Sequence, residues 1–430
     1  MKKLIKSIAE IFPHRNFSIR LWDGTVIPPE AGLPSKLCLV INDPSSLTKL
    51  IWRPNSLVLG EAFVNGEIYI EGDIESAISI KEQILENKIN FAKKFKLAFL
   101  VIKKAKVWPR FFANSQNPVG YIKNVKERTR KAIGFHYDHP IEFWKHMLDP
   151  ALQYSCAYFS NCSESLSESQ KSKMDYICRK LNLKPGETLL DIGCGWGGLV
   201  MHAARKFGVN ATGITLSREQ GKYANHAIKN RGLESKCKVF YHDLLELDSS
   251  NKFDKIVSVG VIEHFNEEKQ CAYFKKAWNL LKQKGVFLNH GMSSNLTKPV
   301  ETSPSFLDSY VFPDADLTPL HKTLKIAEET GFEIRDVENL REHYVQTLRL
   351  WIKNLKKNND EVLKIIDLHT LRVFQLYMSG FAYYLNAGRI FLFQTLLVKS
   401  DNGKVDLPAT RAGWYKNLEP MPAGYKGVPT

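Results

Sequence analysis

Over residues 136–400 the sequence predicts a doubly wound α/β fold with a parallel sheet, preceded by a small α+β domain over residues 1–90. Three observations carry that expectation. From Thr188 onward, short apolar runs of buried-strand character alternate with segments of helical periodicity. A glycine-rich turn, Asp191-Ile-Gly-Cys-Gly-Trp-Gly-Gly198, joins the first of those strands to the helix after it. Before residue 90 the apolar segments are short, alternating and separated by turn residues.

The chain has 430 residues, of which 44% are hydrophobic and 24% charged. That balance suits a globular protein with a large core and argues against long disorder. Seven cysteines form an odd set with no Cys-x-x-Cys pair. No metal site is therefore expected, and reduced thiols in a cytoplasm fit best. The start, Met1 to Phe12, is basic, but Glu10 and Pro13 cut its apolar stretch short, so it does not read as a secretory signal. No run approaches the roughly 20 apolar residues that a transmembrane helix needs.

In the first 90 residues, strands are expected at Phe17–Trp22, Lys36–Ile41 and Glu67–Ile70. Asp23-Gly24, Pro28-Pro29 and Pro44 break them, and Asn65-Gly66 between apolar runs reads as a hairpin turn. Residues 91–135 form a basic connector. Twelve lysines and arginines against the single acid Glu127 supply most of the net charge of +15. Phe91, Phe95, Ala98, Phe99 and Ile102 recur there at helical spacing, with lysines flanking them and Trp108 following. Such a helix can lie in an anionic headgroup layer, or can simply connect two domains with its charges in water. RNA would also suit the charge, but no single-strand RNA signature accompanies it, and no nucleic-acid partner is expected.

The elements of the second domain follow in order. Ser167-Glu-Ser-Gln170 reads as a capping box opening a helix that ends near Asn182, and Pro185-Gly186 turns the chain. Thr188–Ile192 is a strand and Gly198–Phe207 a helix. Ala211–Leu216 and Arg218–Arg231 repeat the pair, and strands follow at Lys238–Tyr241, Phe253–Val259 and Gly285–Asn289. Residues 401–430, with four prolines, read as an irregular tail.

The loop after the first strand permits tight turning and close backbone approach to a ligand at Gly193, Gly195 and Gly197, and Asp191 can hold a cationic or amino-bearing group. Its Gly-x-Gly-x-Gly spacing differs from the dinucleotide fingerprint. The loop resembles motif I of the class I S-adenosylmethionine methyltransferases, which implies a Rossmann-like sheet and that methyl donor. Many such enzymes grip the donor's ribose with an acid at the end of the second strand. Here that strand ends Gly213-Ile-Thr-Leu-Ser-Arg-Glu-Gln220, so Thr215, Ser217 and Gln220 are the candidates instead. Asp243 can reach the adenine or cap a turn.

Further segments narrow the resemblance. His136-Tyr-Asp138, Tyr154-Ser-Cys-Ala-Tyr-Phe159, Gly260-Val-Ile-Glu-His264, Phe312–Leu317 and His343–Leu348 occur in order. Together they look like the cyclopropane-fatty-acyl-phospholipid synthase family, which includes the mycolic acid cyclopropane synthases. Leu59–Gly66 with Glu71-Gly-Asp73 resembles the N-terminal domain of its full-length members.

That resemblance implies methyl transfer from S-adenosylmethionine to a cis double bond of an unsaturated phospholipid acyl chain, followed by ring closure. It implies a bound bicarbonate as base, held by Cys156, Glu263, His290 and Tyr344 with the backbone of Met292. Glu263 would orient His290 or accept a proton from the bicarbonate. Tyr154, Ser155 and Trp196 are expected against the donor. Val373–Met378 and Phe381–Tyr384 would suit an acyl tunnel. The location implied is cytoplasmic, at the inner face of the membrane and against its anionic surface, and a homodimer is an assembly the resemblance allows.

Each residue has a plainer reading as well. A free cysteine is usually a small buried apolar group, Glu263 and His264 can cap a helix, and Tyr344 can pack on one. Two other functions stay open. One is a fatty-acyl methyltransferase giving a methylene- or methyl-branched chain. The other is a non-catalytic membrane-associated protein with the methyltransferase fold.

Overall fold

The computed structural model of the chain describes residues 2–11, 15–30, 33, 35, 37–52, 55–86, 91–105, 136–161, 164–297, 305–312 and 316–415. The basic residues from Lys106 to Lys131, together with Trp108, Cys162, residues 313–315 and the prolines beyond 416, lie outside them.

In the N-terminal domain, β1 (Ser18–Arg20), β2 (Val26–Ile27), β3 (Leu37–Ile41) and β4 (Ile68–Gly72) form one sheet in the order β2-β1-β3-β4. β1 pairs antiparallel with β2 through the turn at Asp23-Gly24, where Gly24 takes a left-handed φ of +82°. β3 pairs parallel with β1 and antiparallel with β4. The helices are α1 (Lys2–Ile11), α2 (Pro44–Trp52), α3 (Ser56–Val64), α4 (Ile74–Glu86) and α5 (Phe91–Ala105).

Asn65-Gly66 is a helix stop rather than the expected hairpin. Asn55 caps the start of α3 by accepting from Val58 N, while the N–H of Asn65 donates to the Glu61 carbonyl and that of Gly66 to the Phe63 carbonyl. Gly66 then adopts the left-handed conformation, φ +75°, that residues beyond a helix end favour. Asn-Gly serves either kind of turn. The N-capped run before it makes this one helical.

The stripe expected on α5 divides between core and surface. Leu97, Ala98 and Val101 are buried where α5 packs on α1 and α2, while Phe95 and Phe99 are 61% and 58% exposed. The smaller residues fit the narrow space between helices, and the two rings are left facing outward.

The second domain begins with α6 (Ile141–Met147) and α7 (Leu166–Lys180). The capping box of α7 is Ser165 with Glu168, two residues earlier than the sequence reading placed it. This register turns Gln170 and Lys173 onto the buried face of the helix. Then follow β5 (Thr188–Ile192), α8 (Gly198–Phe207), β6 (Asn210–Thr215), α9 (Arg218–Asn230), β7 (Cys237–Tyr241), β8 (Phe253–Val259), α10 (Glu267–Leu280) and β9 (Leu281–Ser294). The chain continues through α11 (Phe306–Tyr310), α12 (Leu320–Thr330), β10 (Glu333–Asn339), α13 (Arg341–Lys357), α14 (Asn359–Val362), α15 (Leu368–Asn386) and β11 (Ile390–Val398).

Among the described residues seven strands form the sheet, in the order β10-β11-β9-β8-β5-β6-β7. It is Rossmann-like and doubly wound, but it is not wholly parallel. The five strands from β7 to β9 are parallel, and β11 enters antiparallel between β9 and β10. The chain order reverses between β5 and β8. That is the topological switch point, where a crevice opens at the carboxyl ends of the strands.

The two domains are joined by specific contacts. Arg349 on α13 donates from Nε and Nη2 to the Glu75 carboxylate on α4, at 2.9 and 2.7 Å, with both side chains largely buried. Tyr310 donates to Glu61 at 3.2 Å. The ring of Phe306 lies on the backbone of α3, where a Cβ on Gly60 would meet it at 2.1 Å.

Candidate active site

The glycine-rich loop occupies the crevice. Gly193, Gly195 and Gly197 all have positive φ, and the N–H groups of Gly193 and Cys194 bond to the Ile214 carbonyl on β6. A Cβ on Gly193 would lie 2.3 Å from Val261, so glycine there lets the loop close against the turn after β8. Above the loop is a cavity of about 280 Å³. Tyr154, Ser155, Asp191, Gly193, Gly195, Trp196, Thr215, Gln220 and Asp243, all singled out from the sequence, line it.

Two of the expected donor contacts stand apart. Ser217 caps α9 by accepting from Gln220 N, donates to Asp138 at 2.9 Å, and does not line this cavity. Gly197 is the left-handed residue that starts α8 and is likewise absent from the lining. Thr215 donates to Gln220 Oε1 at 2.7 Å, so these two side chains present themselves as a bonded pair. Asp243 lines the cavity and also caps the short turn that follows by accepting from Leu245 N. Burial pushes the Asp191 carboxyl up to about 7, partly offset by the nearby cation Lys173.

A second cavity of about 370 Å³ lies beside the first, and Tyr137, Tyr154, Ser155, Gly260 and His264 line both. Cys156, Glu263, His290, Met292 and Tyr344 all line this second space. They arrive from four different elements. Glu263 sits in the turn after β8, His290 and Met292 on β9, Tyr344 on α13 and Cys156 in the loop before α7.

The bonding at this site is specific. Glu263 Oε1 accepts from Met292 N at 2.8 Å, while its buried Oε2 has no partner among the described residues. The Glu263 side chain therefore does not orient His290. Gln394 on β11 does so, with Nε2 lying 3.2 Å from His290 Nδ1. An amide N–H donates, so Nδ1 accepts and the ring proton resides on Nε2. His290 Nε2 is buried and has no partner among the described residues.

Burial favours the neutral forms of Glu263, His290, Cys156 and Tyr344. Burial pushes Glu263 up to about 7. Burial, reinforced by Lys173 and Lys180, drives His290 down to about 3. Burial keeps the Cys156 thiol and the Tyr344 phenol protonated by moving both upward. The Cys156 S–H donates to the Ala157 carbonyl at 3.1 Å, so the neutral donors left toward the cavity are Tyr344 O–H, His290 Nε2–H and, below about pH 7, Glu263 O–H. Such a set suits a small oxyanion and does not suit a thiolate nucleophile.

Several residues had no sequence-level role. Lys173, fully buried, donates to Gln153 Oε1 at 2.9 Å and to Ser155 Oγ at 2.7 Å, and Gln170 donates to the Ser155 carbonyl at 2.8 Å. These two side chains of α7 pin the loop that carries Tyr154 and Cys156. Burial lowers the Lys173 ammonium to about 8. Tyr137 and Gly260 stood inside quoted motifs without an assigned task. The phenol oxygen of Tyr154 lies 3.0 Å from His136 Nε2 and in direct contact with the Tyr377 hydroxyl. Tyr377, Phe312 and Phe381 complete an aromatic wall. Helical spacing alone made the α15 residues indistinguishable from ordinary core.

Comparison with known proteins identifies the family of the chain. Residues 124–395 match the family model described as mycolic acid cyclopropane synthetase, and residues 1–96 match a domain of unknown function, DUF7884. A probable fatty acid methyltransferase of Pseudomonas putida is 34% identical over 94% of this chain and 97% of its own length. Cyclopropane mycolic acid synthase 1 of Mycobacterium tuberculosis is 33% identical over 59% of this chain and 92% of its own. The crystal structure of a mycolic acid cyclopropane synthase complexed with SAH and CTAB superposes with a TM-score of 0.60 at 31% identity, covering 63% of this chain and 98% of that one.

Proposed function

Because the chain belongs to the mycolic acid cyclopropane synthetase family of S-adenosylmethionine-dependent methyltransferases, we propose that it converts a cis double bond of an unsaturated phospholipid acyl chain into a cyclopropane. The observation that carries this reading is the junction of the two cavities at Tyr137, Tyr154, Ser155, Gly260 and His264. A donor in one cavity and an alkene in the other would meet there, with water excluded by the buried walls.

S-adenosylmethionine supplies the electrophilic methyl group, and the alkene carbon that takes it leaves a cation on its neighbour. The rings of Tyr137, Tyr154, Phe312, Tyr377 and Phe381 face that region and offer π density to a cation. Asp191 and the loop glycines would hold the donor, and Trp196 closes the cavity beneath it. Glu263 Oε2 and His290 Nε2, buried and without partners among the described residues, fit bicarbonate together with Cys156 and Tyr344, which line the same cavity. Bicarbonate, when bound, supplies the base that takes a proton from the added methyl so that the ring can close. His290 stays neutral and donates, and Gln394 keeps its tautomer fixed.

The lipid surface fits α5. Phe95 and Phe99 are exposed, and Lys93, Lys96, Lys103 and Lys104 lie on the same helix. Among the described residues no helix is long and apolar enough to cross a membrane. We place the enzyme at the cytoplasmic face of an anionic leaflet, with α5 at the headgroups.

A second reading has one observation in its favour. The relative from Pseudomonas putida, which matches along nearly the whole chain, bears the name probable fatty acid methyltransferase. Loss of a different proton from the same cation would give a methylene-branched chain.

The test is methyl transfer to unsaturated phospholipid vesicles in carbonate-stripped buffer. Activity should fall by at least tenfold and return on adding bicarbonate. Full activity without bicarbonate would remove it from the reaction.

A further inference from the structure

A third cavity, of about 160 Å³, lies between the two domains. One wall belongs to the N-terminal domain. Leu37 and Leu39 of β3, with Ile68 and Ile70 of β4, alternate along their strands and so share one face of that sheet. Ala77 and Ile78 of α4 adjoin them. The opposite wall is α15, through Leu376, Gly380 and Tyr384. Among the described residues, the polar side chains lining it are all hydroxyl-bearing, and no ionisable acid or base other than tyrosine reaches it. It has no chemistry of its own to perform.

Its position matters more. Ser305, Leu307, Tyr377 and Phe381 line both this cavity and the one that holds Glu263 and His290. The apolar space is therefore a continuation of the reaction cavity into the domain interface. Polar contacts fix the width of that interface: Arg349 with Glu75, Tyr310 with Glu61, and Phe306 N donating to Ser56 Oγ at 3.4 Å. The solved mycolic acid cyclopropane synthase covers 63% of this chain, whereas the N-terminal match is a separate domain of unknown function.

We propose that this cavity receives the methyl-terminal end of the acyl chain, so that the N-terminal domain gauges chain length for the catalytic domain. The inference rests on the acyl substrate proposed above. An apolar, uncharged space next to the reacting centre suits a hydrocarbon end and rejects a headgroup. Each methylene moved there from water is worth about fourfold in affinity.

The test fills the space from opposite sides in the full chain. Gly380→Leu adds bulk toward Ile78, whose Cδ1 lies 3.8 Å from the position of a Cβ, and Ala77→Leu adds it from α4. The measurement is kcat/KM for phospholipids whose double bond is fixed relative to the carboxyl end but whose methyl-terminal tail is short or long. The long-to-short ratio should fall about tenfold in both variants, with S-adenosylmethionine affinity unchanged by calorimetry. In parallel, a monounsaturated fatty acid with a diazirine at its methyl end is photolysed on wild-type protein. Labelling should map to residues 56–80 and 376–384. A ratio unmoved in both variants, or labelling confined to other peptides, overturns the inference. Absence of methyl transfer to any acyl lipid by the wild type would overturn the proposed reaction instead, and the labelling map would still decide the cavity.

Discussion

Gln394 faces His290 across the β9–β11 ladder, 104 residues away in sequence, with its amide nitrogen 3.2 Å from His290 Nδ1. That bond fixes which ring nitrogen carries the proton presented to the cavity. Gln394→Glu would offer Nδ1 an acceptor, move the proton to Nδ1 and leave Nε2 a bare lone pair. Methyl transfer should fall about 100-fold, and Gln394→Leu, which only removes the partner, should cost less. Steady-state kinetics of the two variants, with S-adenosylmethionine binding as the control for folding, checks the order.

Glu263 is pushed up to about 7 by burial, so it donates from Oε2 below that pH and repels an anion above it. The apparent KM for bicarbonate should rise by up to about tenfold per pH unit above 7. Glu263→Gln keeps an acceptor for Met292 N and a permanent donor toward the cavity. Its bicarbonate KM should be flat over the same range.

His290 is depressed to about 3 and His264 to about 4, both by burial, from an ordinary value of 6.5. A group depressed in the folded state stabilises fully above its unfolded pKa, and that stability is lost as pH falls toward the folded value. Glu263 and Asp191 are raised and act with the opposite sign, losing their contribution as pH rises toward 7. Comparing wild type with His290→Gln isolates one imidazole. The stability advantage of the wild type should shrink by roughly 1.4 kcal/mol per pH unit from about 6.5 downward, measured by urea denaturation at several pH values.

The Arg349–Glu75 pair joins the helix carrying Tyr344 to the N-terminal domain through two charge-assisted bonds. Removing either partner strands a largely buried charge. Arg349→Met or Glu75→Gln should each cost about 3 kcal/mol, and the double variant should cost less than their sum. A double-mutant cycle in urea reads this directly.

Membrane association through α5 should depend on both its rings and its charges. Phe95→Ser with Phe99→Ser, and separately Lys96→Gln with Lys103→Gln, should each weaken sedimentation with anionic vesicles severalfold. The lysine pair alone should lose its effect in high salt.

Local signals reached the strands and the glycine loop because both are written in contiguous residues. β5, α8 and β8 fall where the apolar runs and glycines place them. Asn65-Gly66 was ambiguous because one dipeptide serves two turns, and the helix cap that decides between them sits ten residues earlier at Asn55. Lys173 carried no sequence reading, and its place on the buried face with Gln170 and Ile177 is the signal that points to it. Gln394 was invisible for a deeper reason. Its role exists only because β11 enters antiparallel beside β9, and nothing near residue 394 announces that pairing. The third cavity likewise depends on how two domains meet, which no local periodicity encodes.

The most direct measurement is mass spectrometry of phospholipids after incubating the protein with S-adenosylmethionine, bicarbonate and vesicles of unsaturated lipid, followed by catalytic hydrogenation. Cyclopropanation predicts a gain of one methylene unit per modified chain that survives hydrogenation unchanged. A gain that takes up hydrogen would place the product among branched chains, and no gain with donor binding intact would contradict the lipid-modifying reaction itself.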